Sequence, residues 1–277
     1  STGWRIGGEP AALTTFATPD AESSGKTLYK ITEHHGAKEV IDVIGPKYPG
    51  TLSTDRGVEY RSKKLENVKF QKCNGHIKKN LKEALENQTN AARNFGETLW
   101  KLLDKALELH RDWHAGHRER YLEKVALLEA RVTEHLRVRK LRDPDNQRLL
   151  DGIGREHDEG HLLRFLHDPR LAPDNYLAER QLRPPIIARK ISHCSKNERG
   201  ATARARIATV LQTEHRAILF EERKAKKALE QKALEQDART RAGKPPRRGA
   251  ARSHAGSASE SPSPRRPTML DRITRFF

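Results

Sequence analysis

The sequence predicts an α/β fold, and three observations predict it. The first seventy-odd residues alternate short apolar runs with turn residues, the pattern of strands. From His76 to about Arg142 apolar residues recur at helical spacing. Asp55 closes one of the early strand-like runs, and the C-terminal edge of a strand is where an open sheet usually presents its chemistry.

Taken in order, Gly7-Gly8-Glu9-Pro10 reads as a turn and residues 12–17 as a strand beyond it. Residues 27–31 form a second short strand. Residues 37–44 have helical spacing and stop at Gly45-Pro46. Gly50-Thr51-Leu52-Ser53-Thr54 then leads into Asp55 and the turn Arg56-Gly57. In the helical middle, Leu99, Leu102, Leu103, Ala106, Leu107 and Leu109 make one apolar stripe. Leu122, Val125, Leu128, Val132 and Leu136 make another, and Asp143-Pro144 breaks the run. Leu162, Leu163, Phe165 and Leu166 form a short segment closed by Asp168-Pro169. Asp174 reads as the N-cap of a helix through Glu179 that ends at Pro184-Pro185. Residues 186–192 then read as a strand and 201–219 as a helix. Lys227-Ala-Leu-Glu-Gln repeats at once as Lys232-Ala-Leu-Glu-Gln. Five residues turn a helix by about 500°, so these leucines wander round it and predict a solvated helix, not a coiled coil.

Composition narrows the class. Of 277 residues, 35% are apolar and 33% charged, which suits a compact part with exposed helices better than a chain packed throughout. No run approaches the ~18 apolar residues of a membrane span, and two cysteines exclude a disulfide scaffold. The net charge of +17 favours a polyanionic partner. Much of that excess lies beyond Arg239, where the Gly/Pro/Ser/Arg composition builds no core and predicts a disordered basic tail.

Several linked blocks carry a resemblance. Gly50-Thr-Leu-Ser-Thr-Asp55-Arg-Gly-Val-Glu-Tyr60 and Gln71-Lys-Cys73-Asn-Gly-His76 are followed by Pro173-Asp-Asn175-Tyr-Leu-Ala178-Glu179-Arg180-Gln-Leu182-Arg183-Pro184. Arg189-Lys-Ile-Ser192, Ser195-Lys-Asn197 and Gly200-Ala201 continue the series. In this order the blocks resemble the core of bacterial insertion-sequence transposases of the insertion-sequence-sixty-six family, which carry a DDE triad of acids. The resemblance implies a ribonuclease-H-like mixed sheet interrupted by an all-helical insertion. Residues 1–75 and 171–220 would be the two parts of that core, and 76–170 the insertion. An exposed helix at 221–240 and the tail at 241–277 would follow.

The resemblance also implies the chemistry: DNA cleavage and strand transfer at element ends, with Asp55 and Glu179 as catalytic acids and metal ligands. Two Mg²⁺ (or Mn²⁺) ions about 3.5–4 Å apart can stabilise attacking and leaving oxygens together. Cys73 and His76 match a Cys-x-x-His element near the active site of many such enzymes. As a zinc half-site the pair would need further ligands, and His193-Cys194 lacks the spacing to supply them. Arg180, Arg183, Arg189, Lys190 and Lys196 surround the Glu179 block and are expected to touch phosphates of double-stranded DNA, at element ends and target. Thr2-Gly3-Trp4-Arg5 resembles the segment after the family's first acid, which alignment puts immediately before Ser1. The chain is therefore expected to be a fragment or a truncated product; Glu9 and Asp20 do not replace the acid. The alternative is a catalytically inactive remnant that only binds DNA or a partner. A second rival is a basic helical scaffold with no sheet.

Other features are read more plainly. His110, His114 and His117 share one helical face and read as a solvated polar surface. His157 and His161 share an i, i+4 spacing with Gly160 between them. Leu270, Ile273, Phe276 and Phe277 fall on one face at the C-terminus. Ile273-x-x-Phe276-Phe277 resembles the short motif that binds sliding clamps, with Leu270 in place of the usual Gln, and packing back onto the body is the alternative. The implied setting is a cytoplasmic, nucleoid-associated protein acting on DNA, with a second copy of itself as a further partner.

Overall fold

The computed structural model describes residues 1–86, 90–137 and 140–242, with side chains described through Gln236 except at positions 84, 85 and 192. The tail beyond 242, including Ile273, Phe276 and Phe277, lies outside the described residues. The chain forms two units, Ser1–Lys224 and Ala225–Phe277.

The first unit is mixed α/β, mostly helical. Strands β1 (Thr2–Ile6), β2 (Glu9–Ala17) and β3 (Thr27–Thr32) form an antiparallel sheet in that order. Gly7 and Gly8 make the β1–β2 turn with φ of 60° and 93°, a region that favours glycine. Helix α1 (Ala37–Ile44) ends on Gly45, also left-handed at φ 82°, as the sequence predicts. Strands β4 (Thr51–Thr54) and β5 (Lys69–Lys72) pair in parallel as a second sheet.

The single mixed sheet expected from the resemblance is thus two sheets among the described residues. β1 offers one edge to β2, while its other edge makes a lone bridge, Ile6 to Ser195. On β5 the edge away from β4 is taken by the chain at 161–165: Lys72 N–H donates to the His161 carbonyl (2.8 Å) and the Gln71 amide to the Leu162 carbonyl (3.0 Å). The Phe165 N–H closes the set on Gln71 Oε1 at 2.9 Å. The two sheets nonetheless exclude the all-helical scaffold.

Helices α2 (Asn74–Glu86), α3 (Asn90–His114), α4 (Tyr121–Arg137), α5 (Pro144–Asp158) and α6 (Arg164–His167) occupy the predicted helical segment. They enclose their own core, from Ile77 and Leu81 through Phe95, Leu99, Val125 and Val132 to Phe165 and Leu166. The α4 stripe starts at Tyr121, not Leu122, which is 72% exposed; Tyr121 also donates its hydroxyl to the Leu166 carbonyl (2.9 Å). Asp143 caps α5, accepting the N–H groups of Asp145 and Asn146. Each glycine inside a helix costs about 1 kcal/mol, and each of the two in α5 lies under an arginine side chain that a Cβ would have to push aside. A Cβ at Gly152 would stand 2.5 Å from the Arg56 guanidinium, and one at Gly154 2.9 Å from that of Arg137.

Helix α7 (Tyr176–Ser192) corrects two expectations: it neither ends at Pro184-Pro185 nor yields to a strand at 186–192. Pro185 lacks the N–H that would bond the Gln181 carbonyl. The Tyr29 hydroxyl donates to that carbonyl instead, at 2.5 Å, so the helix passes its prolines with this acceptor satisfied. Leu182 of α7 packs with Trp4, Leu13 and Tyr29 on the first sheet. Helix α8 (Glu198–Ala242) is continuous, so the exposed helix expected at 221–240 is the far part of a longer one. In the first unit α8 is anchored by Arg216, 4% exposed, which bonds the Thr18 and Lys26 carbonyls and pairs with Asp20. In the second unit Leu229 and Leu234 of the five-residue repeat are exposed, as a solvated helix requires.

Candidate active site

Because β4 and β5 run parallel, their C-terminal ends lie side by side. Asp55 is the first residue beyond β4 and Cys73 the first beyond β5; the Cys73 N–H donates to the Thr54 carbonyl at 2.8 Å. Asp55 Oδ1 accepts the Gly57 N–H (3.1 Å), a side-chain-to-backbone turn that fixes the carboxylate at the strand end.

Cys73 also opens α2, its carbonyl taking the Ile77 N–H at 3.2 Å. Its side chain is fully buried. Burial pushes the thiol's pKa up, against the backbone N–H groups of Asn175, His76 and Gly75 that point at the sulfur and favour the thiolate. Glu179 enters from the first turn of α7, with Oε1 3.5 Å from His76 Nδ1. The ligand atoms of Cys73, His76 and Glu179 all lie within 4.8 Å of one another. Tyr176, one turn before Glu179, lays its ring over Gly75, where a Cβ would come within 2.2 Å of the hydroxyl oxygen.

Sequence reasoning missed the charged layer behind these groups. Lys72 is 2% exposed, donates to Thr54 Oγ1 (3.2 Å) and lies over the rings of Phe70 and Tyr60. Burial pulls its pKa down while Glu156 and Asp55 push it back up. Glu156, also 2% exposed, lies 3.5 Å from Arg61 and 3.3 Å from His161. Burial pushes the Glu156 carboxyl up, but the His161 hydrogen bond and the charges of Lys72, His161 and Arg61 outweigh it and hold the pKa below the ordinary value. With Glu159, Glu156 and His161 make the second ligand-type group among the described residues. A lysine within a strand and a glutamate within a helix carry no pattern that marks them as buried partners.

Arg180, Arg183, Lys190 and Lys196 are exposed, while Arg189 is half-buried, donating to the Gly3 carbonyl with its guanidinium 5.8 Å from the Trp4 ring centroid. Cys194 packs by that tryptophan, in a different cluster from the Cys73 group. The histidine face is not simply solvated: the His110 and His114 rings both donate to the Pro169 carbonyl, at 2.9 and 2.8 Å. His157 pairs with the Thr133 hydroxyl (2.7 Å).

The fold and the site together define a mixed α/β protein with acid, thiol and imidazole groups gathered at the end of a parallel strand pair. The sequence model of the family described as Transposase IS66 family matches residues 11–203, and the chain belongs to that family of DDE transposases. No curated protein and no solved structure matches the chain. DNA is the substrate the family implies, and its class uses divalent metal ions. No helix among the described residues is long and apolar enough to cross a membrane.

Proposed function

We propose that this chain is the catalytic core of a transposase that cleaves DNA and transfers strands at insertion-sequence ends, on a ribonuclease-H-like arrangement. One observation carries the reading. Within the matched residues, Asp55 and Cys73 stand at neighbouring strand ends, and Glu179 arrives beside Cys73 from far along the chain. Glu179 Oε1 is buried with no hydrogen-bond partner, which suits an oxygen reserved for a cation. Asp55 and Glu179 are the hard oxygen donors that Mg²⁺ or Mn²⁺ takes. Bound ions would stabilise the attacking and leaving oxygens of an in-line displacement at phosphorus. The chain's own residues do the rest. The Asp55 turn fixes one carboxylate, and α7 presents the other. Lys72 and Arg56 lend positive potential from behind. The exposed Arg180, Arg183, Lys190 and Lys196 hold phosphates, and Arg189 ties α7 to β1.

The test is cleavage of element-end DNA by a version carrying an Asp directly before Ser1. It is expected to nick DNA with Mg²⁺ or Mn²⁺, and Asp55→Asn or Glu179→Gln to reduce this to background, because each removes a charged ligand and keeps the shape. Undiminished cleavage by either variant overturns that residue's role. The second reading, a protein that binds DNA without cutting, is favoured by one observation: neither ligand-type group among the described residues includes Asp55. On that reading Ser1–Phe277 retards DNA, and no version cleaves it.

A further inference from the structure

We propose that Cys73, His76 and Glu179 form a three-ligand zinc site, which shares Glu179 with the catalytic centre proposed above. The donor set is the first reason. A buried thiol, an imidazole and a carboxylate suit a borderline-soft ion, whereas Mg²⁺ takes oxygen and rejects sulfur. Three protein ligands and an open fourth position are the pattern of reactive zinc sites.

Geometry is the second reason. On one tetrahedral zinc a nitrogen and an oxygen stand about 3.3–3.5 Å apart, from the usual bond lengths. His76 Nδ1 and Glu179 Oε1 are already 3.5 Å apart, and the Cys73 sulfur completes a triangle no wider than 4.8 Å. Cys73 lies just before α2 and His76 in its first turn, so one helix start positions both donors.

The third reason is independent of the donor set. Seven buried side-chain polar atoms among the described residues lack a hydrogen-bond partner. Four of them surround Cys73: Asn74 Oδ1, Asn175 Oδ1, His76 Nδ1 and Glu179 Oε1. Native proteins leave few such atoms, because each is costly unless something fills it. His76 Nδ1 and Glu179 Oε1 face each other outside hydrogen-bond geometry, and a cation between them satisfies both. The two side chains are each 40% exposed, which leaves a path for the ion and a water on the fourth position. On binding, the thiol proton goes to solvent and the sulfur binds as thiolate.

Zinc held here takes Glu179 away from Mg²⁺, so zinc inhibits the cleavage proposed above. That consequence rests on the proposed function; the site itself does not. The experiment is titration of the full chain with Co²⁺, a spectroscopic stand-in for Zn²⁺, followed by displacement with Zn²⁺. One equivalent should bring up a sulfur-to-cobalt charge-transfer band in the near ultraviolet and intense visible bands of four-coordinate cobalt, all erased by Zn²⁺. Cys73→Ser should lose the ultraviolet band and Cys194→Ser keep it. His76→Gln and Glu179→Gln, at partly exposed positions that fold readily, should weaken Co²⁺ binding by at least about tenfold. No ultraviolet band in the wild-type chain, or a band lost in Cys194→Ser but kept in Cys73→Ser, overturns the site. A normal cobalt spectrum, together with no cleavage by the version carrying an Asp directly before Ser1, supports the site and sinks the catalytic reading instead.

Discussion

Glu156 shows how much of the candidate site hangs on a residue that would never touch DNA. Its carboxylate is almost fully buried, 3.3 Å from His161 and 3.5 Å from Arg61, and the charge of buried Lys72 helps to hold it ionised. Removing it takes away that hydrogen-bonded carboxylate and the negative charge that Lys72 senses, which costs about 1–3 kcal/mol. Glu156→Gln is therefore expected to lower unfolding free energy by that order in urea titrations. The pH dependence follows from the sign of the shift. The folded pKa is held below the ordinary 4.5, so the stabilisation is fully present above that pH and is lost as pH falls through the lower folded value. Unfolding titrations from pH 6 downward should show an acid limb in the wild type that Glu156→Gln flattens. An unchanged limb would mean that other carboxylates govern acid sensitivity. Asp55 and Glu179 were legible in the sequence because linked motif blocks surround them. Lys72 and Glu156 were not, because the end of β5 and the last turn of α5 influence each other only in the fold, and nothing local in either segment records it.

Among elements, α7 is one the sequence misled about, and the reason lies in its two prolines. Two adjacent prolines ordinarily end a helix, since each removes a backbone donor and crowds the preceding turn. Here a tyrosine of β3 supplies the donor that Pro185 lacks, and burial pushes that hydroxyl's pKa up to about 12, keeping it protonated as a donor across the working pH range. Tyr29→Phe is expected to cost about 1–3 kcal/mol, the penalty for leaving a buried carbonyl unpaired. Denaturant unfolding would measure it, and a loss below about 0.5 kcal/mol would show that the carbonyl finds another partner. The end of α1 at Gly45 follows a local rule and was read correctly. Asp143-Pro144 was read only as a break, and in the fold it also caps the start of α5. By contrast β5 has four residues, Lys69–Lys72, with little alternation, and becomes a strand through its neighbours on both edges.

At the scale of the whole molecule the +17 charge makes DNA affinity a function of salt. If about six phosphates are neutralised, affinity falls roughly a thousandfold between 50 and 200 mM salt. Arg180→Ala and Arg183→Ala should each reduce the slope of log affinity against log salt by about one, in titrations with labelled DNA. Salt-independent binding would exclude phosphate contact as its source. The helical segment from α2 to α6 has a further consequence. Asn74 bonds the Pro173 carbonyl twice, through its backbone and its side-chain nitrogens, both at 3.0 Å, so the segment leaves and re-enters the core at one point. That segment also carries its own apolar core. Closing a loop of about a hundred residues costs roughly 3 kcal/mol more than closing one of a few. If the helices between condense first, that entropy is already spent when β5 meets α7, and a distant encounter becomes a short hop. On that order of assembly, trimming Phe95 to Ala should slow refolding of the entire first unit, whereas trimming Leu13 should chiefly hasten its unfolding.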